Sequence, residues 1–171
     1  PVSALNDLRR RAAQDLISQR QARKPYKINM PEINLPSVKL STDNDIKLTA
    51  SFYDINQISE RILDSVAYAS VDLFKFRDLN NDVLDKYKHK LIAEIPRVYF
   101  DNEDNLRSEL IKIKNIGITK AKAHSLGRLL LAKALGFEVI SGFGLNITNF
   151  ISADYLSKFD PLYVTLSAEL S

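Results

Sequence analysis

Beyond residue 45, short runs of apolar and β-branched residues alternate with stretches whose apolar positions recur at helical spacing. The runs predict strands at 46–52, 67–73, 91–95, 118–123, 138–141 and 162–167. The stretches between them predict helices at 55–66, 78–88, 103–114, 125–135 and 148–158. Asp54 and Gln57 have capping-box spacing, and Ser125 caps a helix that Gly136 ends. Strands alternating with helices imply right-handed crossovers and a parallel sheet, an α/β fold. Six such strands build either an open doubly wound sheet or an arc of a TIM-type (β/α) barrel. A doubly wound sheet is apolar on both faces. Here one side is polar along several strands: Thr49 and Ser51, Ser70 and Asp72, Lys120, Lys122 and His124, Thr165, Ser167 and Glu169. That asymmetry suits a barrel with a polar interior. A full barrel takes about 250 residues, so residues 44–171 are expected to form a partial one.

The first 43 residues read differently. With Ser3 as a candidate N-cap, Leu5, Leu8, Ala12, Ala13, Leu16 and Ile17 recur at helical spacing. They predict an amphipathic basic helix from about residue 4 to 20, within a first segment 1–20. Residues 21–43 contain Pro25, Pro31 and Pro36, each of which pushes its predecessor out of the helical region. An extended linker is expected there.

Net charge is +3, but it is unevenly spread. Residues 1–27 carry Arg9, Arg10, Arg11, Arg20, Arg23, Lys24 and Lys27 against Asp7 and Asp15, a charge of +5, which leaves −2 for the remainder. Either the basic helix tracks RNA phosphates through Arg9, Arg10 and Arg11, or it is a solvated face or a contact with another domain. With no cysteine the chain has no disulfide, thiolate nucleophile or cysteine-ligated metal or cluster. No cofactor is expected within it. No stretch approaches the roughly 18 apolar residues of a membrane helix, and no secretory signal is visible. A cytoplasmic protein without membrane contact is expected. The chain opens on Pro1 and its one methionine is Met30, so it reads as a piece of a longer parent chain, with other domains of that chain as partners.

Chemistry concentrates in the C-terminal half. All five glycines lie between Gly117 and Gly144, the last two in the run Gly142-Phe143-Gly144-Leu145-Asn146-Ile147-Thr148-Asn149. A paired-glycine turn leaving a strand is either a binding loop or a simple change of direction. It lacks the third glycine of a dinucleotide fingerprint, and no Walker loop, His-Glu-x-x-His or calcium loop is present. His89, among Lys86, Lys88 and Lys90, reads as a surface residue. His124 falls at a strand C-terminus, where barrel active sites gather, and with Ser125 it either starts a helix or belongs to a site. The carboxylates Asp72, Glu94 and Glu169 lie at or near strand ends. Two of them serve as acid and base at the right separation, or else Glu169 pairs with Lys120, Lys122 and His124 inside the polar face. Asn146 and Asn149 either cap a helix start or contact a ligand. Arg97, His124, Asn146 and Glu169 each end or follow a strand and are expected to converge on one end of the sheet. There they would hold a peptide carboxylate, a phosphate or an RNA base edge, or satisfy one another.

The glycine run, followed closely by Leu166-Ser167-Ala168-Glu169-Leu170-Ser171, resembles the collagenase-like peptidase family U-thirty-two, with its Gly-x-x-x-Leu-Asn-x-x-Asn and Leu-Ser-x-Glu-Leu stretches. Ile95-Pro96-Arg97-Val98 is similar to the family's Pro-Arg strand end, and Ser125-Leu126-Gly127, with Leu131-Ala132-Lys133 and Leu135-Gly136, to its Asn-Leu-Gly helix start. Leu5-Asn6-Asp7-Leu8-Arg9-Arg10 looks like a segment of longer members. The resemblance implies a TIM-type barrel and a peptidase (hydrolase) acting on peptides, collagen being the namesake. Some relatives are instead associated with RNA-base hydroxylation, or with cluster-dependent hydroxylation in quinone synthesis. The family's cysteine signature lies downstream of the Leu-Ser-x-Glu-Leu stretch. The expectation is therefore a peptidase domain that is inactive alone. The alternative is a non-catalytic binding or scaffold domain of an RNA-modifying protein.

Overall fold

Five strands pair in chain order and all in parallel: β1 (Thr49–Phe52), β2 (Tyr68–Asp72), β3 (Leu91–Glu94), β4 (Lys120–Ala123) and β5 (Glu138–Ser141). The computed structural model describes residues 2–22, 46–100 and 102–169. The chain divides into two units, Pro1–Asn34 and Leu35–Ser171. The first contains α1 (Val2–Gln21), whose arginines Arg9, Arg10 and Arg11 are exposed. The helix already includes Ser3, so Ser3 is not its cap. Most of the linker expected at 21–43 lies outside the described residues. No described helix is long and apolar enough to cross a membrane.

In the second unit the connections are α2 (Glu60–Ser65), α3 (Asn81–Tyr87), α4 (Glu103–Asn115) and α5 (Leu126–Ala134), and α6 (Phe150–Ser157) follows β5. α4 shows how the sequence sets each one. Asn102 accepts a hydrogen bond from the Asp104 amide at 3.0 Å, satisfying an orphan donor of the first turn. Leu106, Leu110 and Ile113 then form one buried stripe. Gly117 follows with φ 98, a conformation a side chain would oppose. α5 ends in the same way at Gly136, φ 79.

Two expected helices are interrupted. The Asp54–Gln57 capping box forms, but over a single 3-10 turn, Ile55–Gln57. Ile58 then becomes extended, and Ile55 and Ile58 both pack against the core. In place of a helix from 78, Asp72 caps a 3-10 segment Leu73–Asp78 that buries Leu73 and Phe76. Asn80 then starts α3. The sixth expected strand, 162–167, does not extend the ladder among the described residues. It runs parallel beside β5 through two isolated bridges, Ser141↔Val164 and Ile147↔Leu166. The reason is local: β5 stops at Ser141, and the glycine turn interrupts the partner edge until Ile147.

Residues alternate between the faces of each strand. One face, with Ala69, Val71, Leu91, Ala93, Ala121, Ala123 and Val139, belongs to the apolar core shared with the helices. The other carries two in-register rows, Ser51–Ser70–Ile92–Lys120–Glu138 and Asp72–Glu94–Lys122–Ile140. This face is strongly concave. β1 and β4 are three strand spacings apart, ~14 Å along a flat sheet, yet Lys122 Nζ donates to Ser51 Oγ at 3.2 Å. Tyr68 of β2 likewise stacks on Tyr163, beyond β5, with ring centroids 6.2 Å apart.

Candidate functional site

Parallel strands place their C-terminal ends together, and a cleft of about 500 Å³ opens there. Its floor is built around Glu94, the last residue of β3. Glu94 Oε1 lies 2.8 Å from His124 Nε2, and Oε2 lies 3.4 Å from Lys122 Nζ. The Lys122 ammonium also reaches Ser51, so polar contacts run from His124 to Glu94 of β3, to Lys122 of β4 and on to Ser51 of β1. Burial works against the Glu94 carboxylate, but the His124 hydrogen bond and the Lys122 charge outweigh it and hold its pKa below the ordinary value.

The glycine turn serves His124 directly. The Gly144 amide donates to His124 Nδ1 at 3.4 Å, which leaves the proton on Nε2 to be donated to Glu94. The imidazole is buried, and Phe143 packs edge-on to it at 4.8 Å between centroids. Both glycines are needed for close approach rather than for positive φ. A Cβ on Gly142 would sit against His124 Nδ1 and 2.5 Å from its Cε1. One on Gly144 would lie 2.8 Å from His124 Cβ and from its carbonyl oxygen. The turn thus clamps the histidine and leaves Phe143 half exposed on the rim of the cleft.

Arg97 stands on the same rim. Ile95 still donates to the Lys122 carbonyl at 2.9 Å, but Pro96 has no N–H and ends the pairing, so Arg97 leaves the sheet. Its guanidinium lies over the Phe143 ring, 5.8 Å from the centroid. Among the described residues Arg97 has no carboxylate partner. Lys75, by contrast, is held by the Tyr53 carbonyl, and Asp72 Oδ1 accepts from the Phe74 amide at 2.9 Å. Phe52 and Tyr53 supply apolar wall.

Of the residues singled out from the sequence, Arg97, His124, Glu94 and Asp72 line this cleft. Asn146, Asn149 and Glu169 are not among its lining residues. Asn146 takes the left-handed conformation, φ 49, that closes the 3-10 turn Phe143–Leu145. Asn149 caps α6, accepting from the Ser152 amide at 2.9 Å and from its hydroxyl at 3.1 Å. Exposed Glu169 donates its amide to Ser167 Oγ. His89 is exposed, its carbonyl accepting from Lys120. Phe143 and Tyr163 were not singled out from sequence. Tyr163 was nevertheless legible as the same-parity neighbour of Thr165 and Ser167, and Phe143 as the residue between the paired glycines. Burial, with Tyr68 and Glu94 nearby, pushes the Tyr163 phenol up to about 12.

Both ring nitrogens of His124 are engaged, and Ser51 accepts from an ammonium rather than facing a free base. Among the described residues no hydroxyl stands against a His124 nitrogen as a nucleophile–base pair would have it. Among the described residues no three histidine, aspartate or glutamate side chains group to hold a metal. Without cysteine the chain does not fit a cysteine-ligated cluster. Compared with protein-family models, curated proteins and solved structures, the chain matches none.

Proposed function

We propose that residues 44–171 are an arc of a TIM-type barrel and form the peptide-binding part of a U-thirty-two-type peptidase, without a complete catalytic apparatus of their own. The observation that carries this is the polar chain Ser51–Lys122–Glu94–His124, lying on a concave parallel sheet and opening at its C-terminal end. Chain-order parallel pairing with a curled polar face is the geometry of a barrel arc, and C-terminal clefts are where barrels bind ligands. The engaged nitrogens of His124 favour binding over turnover. The test is to follow gelatin-derived peptides by calorimetry and mass spectrometry together. Binding without cleavage, weakened by Lys122→Met, is the expected result. Robust hydrolysis abolished by one substitution, or no peptide binding at all, would overturn the reading.

A second reading, an RNA-associated scaffold domain, is favoured by the exposed Arg9, Arg10 and Arg11 of α1. It requires salt-sensitive RNA binding that is lost when the three are replaced by glutamine.

A further inference from the structure

The cleft is lined by three cations, Lys75, Arg97 and Lys122, and two carboxylates, Asp72 and Glu94. Lys122 is committed to Glu94, and Lys75 to the Tyr53 carbonyl. Arg97 remains. It sits on the rim with its planar fork of donors free of any carboxylate among the described residues, 5.8 Å from the Phe143 ring centroid. A guanidinium is a receptor for a carboxylate, because two parallel N–H groups meet two oxygens. A phosphate dianion is a poorer match, since Asp72 and Glu94 line the same cleft and would repel two charges more than one.

The position of Phe143 narrows the ligand further. A carboxylate seated on Arg97 has its neighbouring atoms beside an aromatic ring, with Phe52 and Tyr53 completing the wall. An acidic side chain brings only methylene next to its carboxylate. A peptide C-terminus brings the carboxylate and the last side chain from the same carbon. Resting on the peptide-binding reading above, we infer that Arg97 with Phe143 forms a subsite for the C-terminal carboxylate of a peptide ending in an apolar residue.

The experiment compares acetyl-alanyl-leucyl-phenylalanine bearing a free carboxylate with the same peptide as its C-terminal amide, titrated into the wild-type chain and into R97Q and R97K. Arg97 is exposed, so these variants retain the fold, which circular dichroism verifies. Amidation and R97Q should each weaken binding roughly 10- to 100-fold, the value of a hydrogen bond to a charged group. The two losses should not add, because they remove the same contact. R97K should recover only part, since it restores charge without the fork. Equal affinity for acid and amide would overturn the subsite while leaving the peptide-binding reading intact. Binding of neither peptide would remove both. Uridine monophosphate binding that R97Q abolishes, in the absence of peptide binding, would assign Arg97 to a phosphate instead.

Discussion

On the outer face of the sheet Val71, Leu91, Ala93, Ala121 and Val139 are buried in one apolar cluster with Leu106, Leu110 and Leu129 of the helices. On the concave face the sheet presents Ser51, Glu94 and Lys122, joined by directed contacts that lead to His124. The outer face is held by volume, so its stability depends on how completely space is filled. The inner face is held by pairing, so each member depends on whether its partner is present. The difference separates substitutions that unfold the chain from those that alter the site, and it can be tested from both sides.

The largest effect belongs to the outer face. Leu91 is fully buried in the middle strand, and Leu91→Ala should cost about 2–5 kcal/mol. Denaturant unfolding measures this. A loss well under 1 kcal/mol would mean that the apolar face does not carry the fold.

Next comes the junction between site and scaffold, Gly142. A methyl group there meets the His124 ring and lies 3.1 Å from the Ala123 carbonyl oxygen. Neither neighbour is free to move, as the ring is fixed by Glu94. Gly142→Ala should destabilise by about 1–3 kcal/mol and shift the His124 imidazole resonances. Gly127, early in α5 with nothing within 4 Å of its added Cβ, is the control. Gly127→Ala should be stabilising by about 0.5–1 kcal/mol. Equal effects at the two glycines would show that the clamp on His124 does not exist.

On the concave face, Glu94→Gln keeps the shape and removes the charge that Lys122 and His124 share. The expected loss at neutral pH is about 1–3 kcal/mol. Its pH dependence gives the sharper test. The folded-state pKa of Glu94 lies below the ordinary value of 4.5. Above that value the carboxylate is ionised in both folded and unfolded chains, and its full contribution is present. As pH falls below 4.5 the unfolded chain takes up the proton first, and the contribution is lost until the folded-state value is passed. Urea unfolding between pH 7 and pH 3 should therefore show the gap between wild type and Glu94→Gln closing on the acid side. A constant gap would mean that Glu94 acts through shape alone.

The same contrast explains what could be read from the sequence. Alternation within a strand reports which side a residue faces, so the polar series Thr49–Ser51, Ser70–Asp72 and Lys120–Lys122–His124 is legible in the residue order alone. Distance across strands is set by curvature, which no local pattern encodes. That is why Lys122 meeting Ser51 three strands away was not foreseen, and why Glu94, one strand away, takes the partner role considered for Glu169. Capping chemistry was legible at Asp54, Ser125 and Gly136. The length of the helix behind a cap was not, because tertiary packing of Ile55 and Ile58 ends the turn at Gln57. The glycine pair was conspicuous, but its purpose required the His124 ring to be in place. At Asn149 a cap and a ligand contact were both open, and the helix start uses it as a cap.

The smallest effect is expected where the outer face breaks its own rule. Ser141 ends β5 on the same side as Val139 by alternation, and it is fully buried. Its hydroxyl has no hydrogen-bond partner. On a face held by volume, a buried polar atom without a partner forfeits its hydration and gains nothing in return. Ser141→Ala removes that atom and leaves a void smaller than a water molecule. The two consequences oppose each other, and the unsatisfied hydroxyl is the larger of them. The variant should be neutral or more stable by up to about 1 kcal/mol in denaturant unfolding, with peptide affinity unchanged because Ser141 is not among the cleft's lining residues. Its main-chain bonds, from Thr165 to the Ser141 carbonyl and from Ser141 to Tyr163, do not depend on the side chain and should persist in hydrogen exchange. A loss above 1 kcal/mol would place Ser141 among the paired residues and blur the division between the faces at β5.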